Sequence, residues 1–221
     1  MIEAVIFDLD GVLIDSEQTW NSAREQLLRE RGGGWREEAT REMMGMSSPE
    51  WSRYMRDSLG VDMEPVEIVA EVVRRMESLY REHLPIIPGA SEAVAALASR
   101  WRLGIASSAN RQLIELVLDL AGMREHFAVT VSAEEVAHGK PAPDVYLQAA
   151  ERLGVEPRRC AAVEDSTNGL RAAAAAGMLV AAVPNREFPP TAEALGLADI
   201  VIRSLDELRP ELLLPLEARA R

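Results

Sequence analysis

The stretch VIFDLDGVLIDSE, Val5 to Glu17, places two acidic residues one position apart directly after an apolar run. Val5, Ile6 and Phe7 read as a buried strand, which the flanking residues extend to positions 2–9. Side chains alternate faces along a strand, so Asp8 and Asp10 would share a side if the extended form continued that far. Two carboxylates about 4 Å apart repel by about 4 kcal/mol at an effective dielectric near 20. A positive group, or a proton held on one carboxyl, is therefore expected beside them. The plain alternative is a strand end running into a solvated turn at Gly11. A calcium loop fails on its spacing: Val12 stands where a side-chain oxygen is needed, Leu13 replaces the turn glycine, and Thr19 replaces the closing glutamate.

From Ser16 to about Leu84 the pattern is helix after helix. SEQTWNSAREQLLRERGG carries Ser16 as an expected N-cap and stops at Gly32–Gly34. WREEATREMMG is a second helix ending at Gly45. SSPEWSRYMRDSLG opens with cap residues Ser47 and Ser48, Pro49 in the first turn, and Glu50 completing a capping box. EPVEIVAEVVRRMESLYREHL is the longest helix. After Gly89 helices and short apolar strands alternate: RLGIASS, FAVTVSA, CAAVEDS, LVAAVP and DIVIRS are the strands. That rhythm predicts an α/β fold with a doubly wound, parallel, Rossmann-like sheet that also holds the first strand. The helical block is then an insertion, residues 16–85, into a core of residues 1–15 and 86–221.

The chain has 221 residues, 48% of them hydrophobic and 27% charged, as an ordinary globular protein does. A net charge of −12 argues against nucleic acid or an anionic membrane surface as a partner. The longest apolar stretch, Ala172 to Pro184, is broken by Gly177 and is too short to span a bilayer. MIEAVIF lacks the pattern of a signal peptide, so a cytoplasmic protein is expected. The single cysteine, Cys160, excludes an internal disulfide framework and reads as a small buried hydrophobe. Of the 24 basic residues only Lys140, in HGKPAPD, is lysine. Arginine does not substitute where a compact ammonium must reach one point.

Ligands of such a sheet bind at the carboxyl ends of its strands. Those ends carry Asp8 and Asp10, then Ser107 and Ser108, then Glu164 and Asp165, with Lys140 ahead of the helix leading to the last strand. Carboxylates without histidine or cysteine suit Mg²⁺, and a lysine with serine donors suits a phosphoryl group. The three histidines, His83, His126 and His138, lie off these strand ends and are not read as metal ligands.

The motifs FDLDGVL, IASS, GKPAPD and VEDSTNG, in that order, resemble those of the haloacid dehalogenase superfamily. The resemblance covers essentially the whole chain and points to the branch of β-phosphoglucomutase, phosphoglycolate phosphatase and small sugar phosphatases, whose helical cap corresponds to the insertion. It implies Asp8 as nucleophile forming an aspartyl-phosphate, and Asp10 as general acid and base. It implies Mg²⁺ held by Asp8, the Asp10 carbonyl and Asp165, with Glu164 directly or through water. Ser107, Ser108 and Lys140 would hold phosphoryl oxygens. Mg²⁺ and Lys140 would then offset the repulsion between the two aspartates.

The expected activity is hydrolysis of a small phosphomonoester, a sugar or polyol phosphate, by a monomer or weak homodimer. Trp20 and Asn110 are candidate substrate contacts. A dehalogenase does not need Asp10, and the related phosphonatases need a cap lysine, absent here. A mutase is the rival reading, and a non-catalytic phosphate-binding module a more distant one. The mutase's cap contacts correspond to Trp20, Ser48 and Met76, none cationic, with Arg53, Arg74 or Arg75 as conceivable substitutes.

Overall fold

The computed structural model describes residues 1–43 and 46–215. Six parallel strands run β1 (Ala4–Phe7), β2 (Arg102–Ser107), β3 (Phe127–Ser132), β4 (Cys160–Glu164), β5 (Leu179–Ala182) and β6 (Ile200–Val201). Their order across the sheet is β3-β2-β1-β4-β5-β6. All four residues of β1 are buried, because β1 lies at the centre between β2 and β4. Alternation along each strand divides the apolar side chains into two layers. Val5, Phe7, Leu103, Ile105, Ala161 and Val163 join one cluster, whereas Ala4, Ile6, Ala106 and Ala162 join the other. Each large side chain buried this way contributes about 1.5–3 kcal/mol. Strands covered on both faces need continuous apolar runs, which is what made them legible.

Among the described residues, the insertion after β1 contains four helices: α1 (Glu17–Arg31), α2 (Glu37–Met43), α3 (Ser48–Asp57) and α4 (Pro65–Glu82). The expected capping box of α3 forms between Ser47 and Glu50, with Pro49 in the first turn. Gly45, the expected end of α2, lies outside the described residues. The chain enters and leaves this block through two adjacent strands of linker. Asp15 N donates to Pro85 O at 2.8 Å, Ile87 N donates to Leu13 O at 3.0 Å, and Ile14 and Ile86 form an antiparallel bridge. The apolar interior is continuous across the boundary: Trp51, Met55, Ile68 and Met76 belong to the same cluster as Val5 and Phe7. The remaining helices needed below are α5 (Ala90–Ala98), α6 (Arg111–Leu120), α7 (Asp144–Leu153) and α8 (Thr167–Ala175).

Two local expectations are corrected. The first strand stops at Phe7 rather than at position 9, so Asp8 and Asp10 do not lie on one strand face. A turn takes over instead: the Leu9 carbonyl accepts from Leu13 N at 2.8 Å, and Gly11 sits at φ +78°, a left-handed conformation that glycine adopts without strain. Ser16 precedes α1 but does not cap it. Its hydroxyl is turned toward Asp10 instead and donates to Oδ1 at 2.5 Å.

Candidate active site

The sheet order reverses direction at β1 and β4, and the crevice there is built from the residues that follow both strands. Asp8, Glu164 and Asp165 are buried, and each offers a carboxylate oxygen within 4.8 Å of the others. Lys140 reaches into this group from the loop before α7. Its Nζ lies 3.0 Å from Asp8 Oδ1 and 2.5 Å from Glu164 Oε1. Burial opposes its charge, but the flanking Asp8 and Glu164 outweigh that and hold the ammonium above the usual lysine range. Asp8 Oδ1 also accepts from Leu9 N at 2.8 Å, which leaves Oδ2 as its free oxygen.

Glu164 has donors on both oxygens. Oε1 takes Lys140 and the Tyr146 hydroxyl at 2.7 Å, and Oε2 takes Asp165 N at 3.1 Å and Ser166 Oγ at 3.2 Å. Tyr146 was not among the sequence candidates. It lies in the first turns of α7, where it reads as an ordinary core aromatic, and only its hydroxyl betrays the role. Gly169, in the first turn of α8, completes this packing: a Cβ there would fall on the Glu164 carboxylate. Alanine is the better helix former by about 1 kcal/mol. Gly169→Ala is nevertheless expected to lower the thermal midpoint, because Glu164 would have to leave its donors. A midpoint raised by the substitution would contradict this packing.

Asp10 lines the same cleft and is held by two donors on one oxygen. Ser16 Oγ and, at 3.1 Å, Trp20 Nε1 both donate to Oδ1. Trp20 is 7% exposed and meets Trp51 edge-on at 6.1 Å between ring centroids. It lines the cleft as a holder of Asp10 rather than as an open platform. Ser108 lines the cleft as well, whereas Ser107 is enclosed beneath it with its hydroxyl accepting from Ala109 N at 3.0 Å. Asn110 is not brought to the cleft. Its amide donates to Glu134 at 2.5 Å and its oxygen accepts from Ser48 Oγ at 3.1 Å, tying α3 to the start of α6.

The three cap arginines considered from sequence also point elsewhere. Arg74 and Arg75 pair with Glu71, Arg75 pairs with Glu30 as well, and Arg53 donates to Pro49 O. Ser48 and Met76 are buried away from the cavity lining. Among the described residues, the cap cation that does line the cavity is Arg24 of α1, which local pattern presents as one more polar position on a helix.

The acidic cluster fits a hard divalent cation by its donor set: buried carboxylate oxygens, crowded together, with one ammonium between them. Without such an ion, burial pushes Asp8 up to about 8, and burial together with Glu164 and Asp8 pushes Asp165 well above its usual range. The folded metal-free protein therefore keeps a proton on Asp8 between about pH 4 and pH 8 that the unfolded chain has released. That contribution to stability is full below about pH 4 and is lost as pH rises through about 8, at a slope of about 1.4 kcal/mol per pH unit per proton. In a chelator, the thermal midpoint is expected to fall from pH 5.5 to pH 8.5, and Asp8→Asn to flatten that slope. Mg²⁺ binds the deprotonated carboxylates, so its stabilisation is expected to grow over the same range. A midpoint in chelator that rises with pH would contradict the assignment.

Comparison with known proteins agrees with this geometry. Residues 2–177 match the family model of the haloacid dehalogenase-like hydrolases. Hexitol phosphatase B of Escherichia coli K12 is 35% identical over 224 residues, covering 94% of each chain. The crystal structure of CbbY from Rhodobacter sphaeroides in complex with phosphate superposes with a TM-score of 0.84 at 30% identity, covering 94% of this chain and 96% of that one. A β-phosphoglucomutase from Clostridium difficile gives the same TM-score at 28% identity over all of both chains. The chain belongs to the haloacid dehalogenase-like hydrolases, in the branch of sugar phosphatases and β-phosphoglucomutases.

Proposed function

We propose that the protein hydrolyses a small sugar or polyol phosphate through a phosphoryl group carried on Asp8. The observation that supports this most is the pairing across one cleft of Asp8, with Oδ2 free beside Lys140, and Asp10, held by Ser16 and Trp20. Asp8 Oδ2 attacks phosphorus as the ester P–O bond breaks, and Asp10 gives its proton to the departing alkoxide. Asp10 then takes a proton from water as that water attacks phosphorus and the Asp8–phosphorus bond breaks. Inorganic phosphate leaves and both aspartates return to their starting state. Lys140 and the Ser107–Ser108 turn hold the charge on the phosphoryl oxygens.

Asp8, Asp165 and the Asp10 carbonyl would hold Mg²⁺, with Glu164 joining directly or through water. When bound, the ion supplies positive charge to the phosphoryl oxygens.

The described residues of 16–85 act as a cap on a core of 1–15 and 86–215; residues 216–221 of the expected core lie outside the described residues. The cavity between them measures about 90 Å³. That is below the ~150 Å³ that holds a benzene molecule, so substrate entry requires the cap to open. The paired linkers at Leu13–Asp15 and Pro85–Ile87 are the natural hinge. The acidic chain works on phosphorylated metabolites in the cytoplasm, as a monomer or weak homodimer, and no described helix is long and apolar enough to cross a membrane.

A mutase remains the second reading because Arg24 places one cation in the cap side of the cavity. Phosphorus NMR separates the two on hexitol phosphates and on β-glucose 1-phosphate with catalytic 1,6-bisphosphate. Inorganic phosphate is expected as the product. Glucose 6-phosphate accumulating faster than phosphate would establish the mutase instead.

A further inference from the structure

Three buried polar atoms among the described residues have no hydrogen-bond partner: Glu17 Oε1, Asn21 Oδ1 and Arg24 Nε. All three belong to α1, at spacings of four and three residues that put them on one face of the helix. Glu17 and Arg24 line the same cavity as Asp8 and Asp10. Arg24 is 5% exposed, forms no hydrogen bond or ion pair with a described residue, and lies against two indole rings, 4.8 Å from Trp20 and 5.2 Å from Trp51. A buried guanidinium without an acceptor, on the same helix face as a half-buried carboxylate whose Oε1 is enclosed without a donor, is costly to a protein that gains nothing from it. Both groups show the strain of burial, which holds Arg24 down to about 10 and pushes Glu17 up to about 7.

We infer that Glu17 and Arg24 form the specificity site of the cap and read hydroxyl groups on the part of the substrate distal to its phosphate. This rests on the phosphatase reading and narrows its substrate class to polyhydroxylated monoesters with an uncharged tail. The donor and acceptor inventory decides it. An alcohol donates to Glu17 Oε1 and accepts from Arg24 in the same molecule. An alkyl tail satisfies neither group. A second phosphate dianion has acceptors for Arg24 but no proton to offer an ionised Glu17, whose charge would repel it. It would also enter a cavity lined by five acidic residues against only Arg24 and Lys140. Trp20 links this site to the chemistry, since its ring lies against Arg24 while its N–H holds Asp10.

The test is calorimetric binding to the full chain carrying Asp8→Asn, with inorganic phosphate, propyl phosphate, sorbitol 6-phosphate and fructose 1,6-bisphosphate as probes. Sorbitol 6-phosphate is expected to bind at least about tenfold more tightly than propyl phosphate, one charge-assisted hydrogen bond being worth that much. Glu17→Met and Arg24→Met are each expected to remove most of that ratio. Should Arg24→Met fail to fold, Glu17→Met decides alone, because it replaces an unpartnered buried acceptor with an apolar chain. Equal affinity for propyl and sorbitol phosphates would overturn the inference. So would tighter binding of fructose 1,6-bisphosphate than of sorbitol 6-phosphate, which would make Arg24 a second phosphate site. Failure of the phosphatase reading is distinct: the wild-type protein would then release no phosphate from any ester, whatever the binding ratios.

Discussion

Asp8→Asn is expected to abolish phosphate release while leaving the fold intact. The substitution is nearly isosteric, and Oδ1 can still accept from Leu9 N and Lys140. What is lost is the anionic oxygen that attacks phosphorus, so the covalent route closes rather than slows. The loss in kcat should reach several orders of magnitude. Stability should hold or rise at pH 8, because burial already penalises the Asp8 charge. Steady-state kinetics on p-nitrophenyl phosphate, beside a thermal melt, reads both effects. A folded variant keeping a tenth of the wild-type kcat would remove Asp8 as nucleophile.

Lys140→Met is expected to fail in both respects. Among the described residues Lys140 is the only cation touching Asp8 and Glu164, and Glu164 is fully buried. Removing one partner of a buried ion pair and leaving the other costs about 3–5 kcal/mol. Mg²⁺ can offset part of that, so the deficit should be largest in chelator. Loss of a donor aimed at developing phosphoryl charge should cost a further ~10²–10³ in kcat. Lys140→Arg is not expected to rescue. The wider guanidinium must fit between two carboxylates and the Tyr146 ring, whose centroid is 5.1 Å from Nζ. Wild-type stability in chelator together with wild-type kcat/KM would show that the sole lysine is compositional chance.

The sheet was readable because its central strands are covered on both faces, so β1, β4 up to Glu164, and β5 are apolar runs between helices. The acidic ends of β1 and β4 were readable for the same reason: a carboxylate closing such a run has no packing role. What surrounds those carboxylates was harder to see. The Tyr146 hydroxyl and the bare Cα of Gly169 act on Glu164 from two different helices, and neither is marked by local pattern. Asn110 has the chemistry of a substrate contact, but Ser48 and Glu134 satisfy it. Arg24 is the opposite case. An arginine on an amphipathic helix reads as a solvated surface residue, and only the tertiary contacts show it buried between Trp20 and Trp51. Local sequence thus reported where charge ends a strand, but not which polar groups the fold leaves unsatisfied.

A phosphoryl group carried on Asp8 during turnover can be trapped and located directly. Rapid quenching of the enzyme during turnover of a hexitol phosphate, followed by borohydride reduction, converts an aspartyl-phosphate to homoserine. Peptide mass spectrometry then locates it. Homoserine at position 8 is the predicted result, absent without substrate and absent in Asp8→Asn. Turnover at full rate with unmodified Asp8 under conditions that trap the acyl phosphate, or homoserine at another aspartate, would contradict the account.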